Sequence, residues 1–160
     1  MRTARVAPLI TTRGRLRTST SGRWAGITRL ALSQTQTTAA SRARRQRYWA
    51  LAAIIRSRSA FVLHGEYDTA HQDHIHQDSV APTRAFTTGS QAAVKLAQAV
   101  CKHIYAKTDL VIDGNFGPRS QAAVREAMIT VELPGDIFDN SQWVRFLLRS
   151  GRLGFELSLQ

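Results

Sequence analysis

The chain has 160 residues, 43 % of them apolar, one cysteine and a formal net charge of +11 at pH 7. Such a length allows one ordinary domain or two small ones with a hydrophobic core, the lone Cys101 excludes an internal disulfide framework and a cysteine-based zinc cage, and no window reaches the roughly 18 apolar residues that span a bilayer. The charge is uneven, since residues 1–65 hold thirteen Arg and no Lys, Asp or Glu, while the other 95 hold nine basic and eleven acidic residues.

Residues 1–43 are rich in Arg, Ser, Thr and Ala and sustain neither a helical nor a strand period, which predicts a disordered basic segment. Three origins fit that composition: an organellar transit peptide, an arginine-rich arm for nucleic acid, or a translated stretch never selected to fold. The nucleic-acid arm is not favoured, because its arginines are scattered and only Trp24 stands among them as an aromatic platform. "YWALAAII", 48–55, follows "RARRQR" but begins too far from Met1 for a secretory signal, so no signal peptide is read.

From Arg44 the pattern turns helical, with Tyr48, Leu51 and Ile55 at spacings of three and four; "AFVL", 60–63, reads as a short buried strand. Gly65, Glu66 and Asp68 suit a turn. The stretch His64–Ser79 then holds four of the five histidines and four of the eleven acids. On a strand His74 and His76 face the same side, so one imidazole could bind a metal while its neighbour faces the metal-bound water, with Asp73 and Asp78 as acceptors that orient the rings. The plainer alternative is a polar loop that happens to be rich in His.

"EYDTAHQDHIHQD", 66–78, resembles the late active-site strand of extensin-like proteins and of penicillin-insensitive murein endopeptidases, within the zinc peptidases that include D-alanyl-D-alanine carboxypeptidases and hedgehog domains. The resemblance rests on Tyr67, Ala70, His71, Asp73, His74, Ile75, His76 and Asp78. It implies His76 as a zinc ligand, His74 as the residue assisting the attacking water, and His71 with Asp73 as auxiliary groups on the site wall. Those enzymes also carry an earlier Ser-x-His motif followed by Asp, which supplies their other two protein ligands. Here no His precedes His64 and no acid precedes Glu66, so the motif is absent. A catalytic zinc takes three protein ligands and keeps one position for water; loss of catalysis is therefore expected.

Residues 81–89 have the composition of a linker. Ala93, Leu96, Val100 and Ile104 then predict a helix from Ser90, a candidate N-cap, to Tyr105, with Cys101 as a small core residue. In "VIDGNFGPRSQAAVREAM", 111–128, Asp113-Gly114 marks a tight turn, Phe116 an apolar anchor, Gly117 a backbone turn and Pro118 a helix start, with Val124 and Met128 continuing the helix. Pro134-Gly135 lies in a loop over 129–138. A last helix capped by Asp139 or Asn140 carries Trp143, Phe146 and Leu147 on one face and Arg145, Arg149 and Arg152 on a solvated one.

Ile112, Asp113, Gly114, Phe116, Gly117, Pro118, Ser120, Ala123 and Val124 resemble the signature of the peptidoglycan-binding domain, a three-helix module of bacterial and phage wall hydrolases, with Ala127-Met128 where that family commonly has Phe-Gln. The resemblance implies binding to murein glycan or stem peptide. The turn residues read first as makers of the fold, and Trp143 reads first as core and second as a ligand contact.

The fold expected is mainly α: a three-helix peptidoglycan-binding-like module at 90–160, preceded by a linker at 81–89, a partial α+β zinc-peptidase-like fragment at 44–80 and the disordered basic segment at 1–43. The expected function is peptidoglycan binding by a protein derived from a zinc-dependent murein peptidase, in the cell envelope or delivered to the wall by a phage. The alternatives are an active zinc DD-peptidase and a nucleic-acid binder.

Overall fold

The computed structural model describes residues 27–29, 39–78 and 83–160. Among these it is mainly helical, with four α-helices and a small antiparallel sheet. In chain order the elements are β1 (Ile27–Arg29), α1 (Ala39–Arg56), β2 (Phe61–Leu63), a 3-10 turn (Thr69–His71), β3 (His74–Asp78), α2 (Gln91–His103), α3 (Pro118–Thr130) and α4 (Asn140–Leu157). β3 lies between β1 and β2, with Ile27 opposite His76 on one side and Leu63 opposite His76 on the other.

The expected disorder of residues 1–43 falls largely outside the described residues, but two parts of it are structured. Ile27–Arg29 pairs with β3, and α1 begins at Ala39 rather than Arg44. Ala39 and Ala40 favour helix strongly, so the first turn forms although no acid complements its dipole. The buried stripe of α1 also differs from the expected one. Trp49, Ala52, Ala53 and Arg56 are buried with Tyr48, whereas Leu51 and Ile55 are only partly so.

Another face of α1, at Ala50 and Ile54, rests on small residues. α1 packs against α4, where Gly151 and Gly154 face it: a Cβ on Gly151 would lie 2.5 Å from Ile54 Cγ1 and 3.1 Å from the Ala50 carbonyl oxygen, and one on Gly154 would lie 3.0 Å from the Ala50 Cβ. Arg47 closes this contact at its other end, donating from Nε to Ser158 Oγ (3.0 Å) and from Nη2 to the Ser158 carbonyl (3.2 Å), just past the end of α4.

The helix starts follow local chemistry. Ser90 caps α2 by accepting from the Ala93 N–H, Asp139 caps α4 by accepting from the Gln142 N–H (2.9 Å), and Pro118 occupies the first turn of α3. Gly117, expected to serve a backbone turn, has φ −77° and ψ −176°, an extended conformation open to any residue.

One hydrophobic cluster joins Trp49 and Ala53 of α1, Val62 and Ile75 of the sheet, Leu96 and Val100 of α2, Val124 and Met128 of α3, and Trp143 and Phe146 of α4. Phe86, in the stretch expected as a linker, is buried in that cluster with its ring centroid 4.9 Å from Phe116 and 5.2 Å from Trp143. Burying one aromatic ring outweighs the polar composition around it. Arg56 secures the same segment: its guanidinium donates to the Ser59 carbonyl and the Arg84 carbonyl (2.9 Å each) and lies 5.7 Å over the Trp143 ring. Burial pushes the Arg56 pKa down to about 10.

Candidate functional site

The first candidate is the histidine strand. β3 alternates as expected, with Ile75 buried beneath it and His74 and His76 half-buried on the opposite face. Asp68 starts the turn that brings His71 alongside, accepting from the His71 N–H (3.1 Å) and pairing with Nδ1 (2.5 Å). Asp73 pairs with His74 Nδ1 at 2.8 Å, the orienting contact expected of it. The His71 ring centroid lies 5.2 Å from that of His74 and 6.1 Å from that of His76, so the three predicted residues do meet. The hydrogen bond to His71 holds the Asp68 carboxyl below its usual range.

His64 stands apart. Its ring is fully buried, Nε2 donates to the Ala92 carbonyl (3.2 Å), Nδ1 has no partner, and Trp49 packs edge-on at 5.1 Å. Burial pushes its pKa down to about 4, so at neutral pH it is an uncharged core group. Among the described residues no three His, Cys, Asp or Glu side chains converge as a metal ion requires.

The second candidate is built on the 113–118 turn. Gly114 has φ +80°, which favours glycine, and a Cβ there would fall 2.8 Å from Gln91 Cγ, so a side chain would also displace that of Gln91. Asp113 Oδ1 accepts from the Asn115 N–H (2.8 Å), the short-range bond that closes the turn. The turn is pinned by a residue that sequence reasoning missed. Gln98, buried on α2, donates from Nε2 toward Asp113 Oδ1 (2.8 Å), Ser120 Oγ (2.9 Å) and the Asn115 carbonyl (3.0 Å), and its Oε1 accepts from the Gly114 N–H (2.9 Å). Two amide hydrogens serve three acceptors, so one bond is shared; Ser120 Oγ also donates to Asn115 (3.1 Å). The Asn115 N–H, followed by Gln98, keeps the Asp113 carboxyl below its usual pKa. A buried Gln within a run of Ala, Val and Leu was the only signal available in the sequence.

The turn delivers Phe116 to a groove of about 730 Å³ between α3 and the 131–139 loop. Met128, Leu133 and Ile137 are its buried apolar wall, while Phe138 is 47 % exposed and Ile129 66 % exposed at its mouth. Phe116 and Phe138 stand perpendicular, 6.0 Å between centroids, and both rest on the buried Phe86. Gln121, Arg125 and Asp136 are the polar groups along the groove. Trp143, considered as a ligand contact, is fully buried with Phe86 and Phe146 against it, so no face of its ring is open to a ligand. Asp113 and Gly114 form the turn, Gly117 is extended and Pro118 starts α3; none of the four lines this groove.

No protein-family model, curated protein or solved structure matches this chain. Its own residues therefore carry the functional reading.

Proposed function

We propose that the chain binds peptidoglycan through the groove beside Phe116, and that residues 44–80 descend from a zinc-dependent murein peptidase whose catalysis is lost. The observation that carries the reading is the position of the groove: the turn resembling the peptidoglycan-binding signature places Phe116 directly in its lining, next to the exposed Phe138 and a small set of polar groups. A concave apolar site with few convergent polar side chains is the general form of a ligand pocket. The cell wall, reached by export or by phage delivery, is the corresponding location.

Co-sedimentation of the full chain with purified murein sacculi tests this. Phe138→Ala, which removes an exposed ring at the groove mouth, is expected to weaken binding roughly tenfold, whereas Leu159→Ala, at an exposed residue outside the groove lining, leaves it unchanged. Failure of the wild-type chain to sediment with sacculi would overturn the proposal. Active hydrolysis by zinc-activated water is the second reading, favoured by the meeting of His71, His74 and His76. It requires one zinc per chain, lost in His76→Ala, together with cleavage of a murein peptide.

A further inference from the structure

Resting on the reading of the groove as a peptidoglycan site, we infer that its ligand is the stem peptide and not the glycan: a short peptide with methyl side chains, a free carboxylate that meets Arg125 and a side-chain ammonium that meets Asp136.

The walls give the first reason. Val124, Met128, Leu133 and Ile137 give the lining an aliphatic component that matches the methyl groups of alanine residues. The rings give the second. A sugar stacks best on an open, flat aromatic face, but Phe116 and Phe138 stand at 90° to one another and form a corner. Such a corner receives a methyl group or a narrow backbone more readily than a pyranose face.

Charge gives the third and most specific reason. Arg125 comes from α3 and Asp136 from the following loop, and both line the same groove. Neither forms an ion pair with another described residue, although Lys107 and Glu126 pair nearby in sequence, and Arg152 pairs with Glu156. Asp136 is also oriented: its Oδ1 accepts from the Phe138 N–H at 3.0 Å and its carbonyl accepts from the Asp139 N–H at 3.1 Å, which leaves a second carboxylate oxygen for a ligand. Arg125 and Asp136 stand exposed along the groove, where the neutral hydroxyls and acetamides of a glycan can hydrogen-bond to them but offer no opposite charge. A stem peptide containing a diamino acid offers both an ammonium and a terminal carboxylate, and charge-assisted hydrogen bonds to the two would fix its direction.

The test is calorimetric titration of the full chain with the synthetic peptide Ala-γ-Glu-Lys-Ala-Ala, its C-terminal amide, its side-chain-acetylated form and a chitooligosaccharide, beside the sacculus sedimentation above. Saturable binding of the peptide is expected. Amidation weakens wild type roughly tenfold but has no further effect on Arg125→Gln, and acetylation behaves likewise with Asp136→Asn. A merely structural role for either side chain would leave wild type and variant equally sensitive to the ligand change, and that result overturns the inference. Binding of sacculi and of the oligosaccharide, without binding of the peptide, overturns it too while leaving wall binding intact. Failure to bind sacculi overturns both.

Discussion

Gln98 illustrates how much one side chain can hold. It is buried, and its amide satisfies groups on the 113–115 turn and on α3 at once, so its removal strands a backbone N–H and several acceptors in a dry environment. Gln98→Leu, close in volume, is expected to cost about 2–4 kcal/mol by denaturant unfolding. His64 works through protonation. Its folded pKa of about 4 lies below the ordinary 6.5 because burial disfavours the charged ring. The unfolded chain therefore takes up a proton near pH 6.5 that the folded chain refuses until about pH 4. Stability from this group is complete above about 6.5 and is lost progressively as pH falls toward 4, by on the order of 3 kcal/mol. His103, stacked 5.8 Å from Trp49 with its pKa also pushed down to about 4 by burial, acts in the same direction. His64→Gln keeps the donor to Ala92 but cannot titrate, so its stability, followed by thermal melting from pH 7 to 4.5, should fall less steeply than wild type; an unchanged slope would show that His64 is already protonated or exposed.

At the scale of elements, the glycines divide into those that packing requires and those it does not. Gly151 faces Ile54 and the Ala50 backbone, so Gly151→Val drives α1 and α4 apart and is expected to destabilise by about 1–3 kcal/mol. Gly117 has open space around its Cβ position and caps α3 without a side-chain hydrogen bond. Gly117→Asp should therefore stabilise by about 0.5 kcal/mol, read as a higher denaturant midpoint with unchanged slope. The elements most legible in the sequence were those with local signals. Ser90 and Asp139 as caps, Pro118 as a helix start, and the alternation of His74, Ile75 and His76 all depend on neighbours within a few residues. What was missed depends on distant partners: Gly151 needs α1, Gln98 needs the 113–120 segment, and Phe86 needs Phe116 and Trp143 to draw it out of solvent. The candidate site divides in the same way. Phe116 was visible through its turn, whereas Phe138, Arg125 and Asp136 join it only because α3 and the following loop fold back beside it.

For the whole molecule, the consequence is that the histidine strand and the helical module share a core. Trp49 and Trp143, one from each side of the 81–89 stretch, belong to the same buried cluster, and Arg56 of α1 donates to Arg84 and lies over the Trp143 ring. A fragment of residues 90–160 would expose the α4 face that α1 covers, and is expected to unfold at lower denaturant and less cooperatively than the full chain, measured by circular dichroism. A fragment as stable as the parent would contradict a shared core. The central claim, that the groove beside Phe116 is where the wall is bound, is tested most directly by hydrogen exchange on the full chain with and without soluble murein fragments. Protection gained at Phe116 and across 128–138, with 67–78 unchanged, is the expected result. Protection confined to 67–78 would place recognition at the histidine strand and contradict the claim.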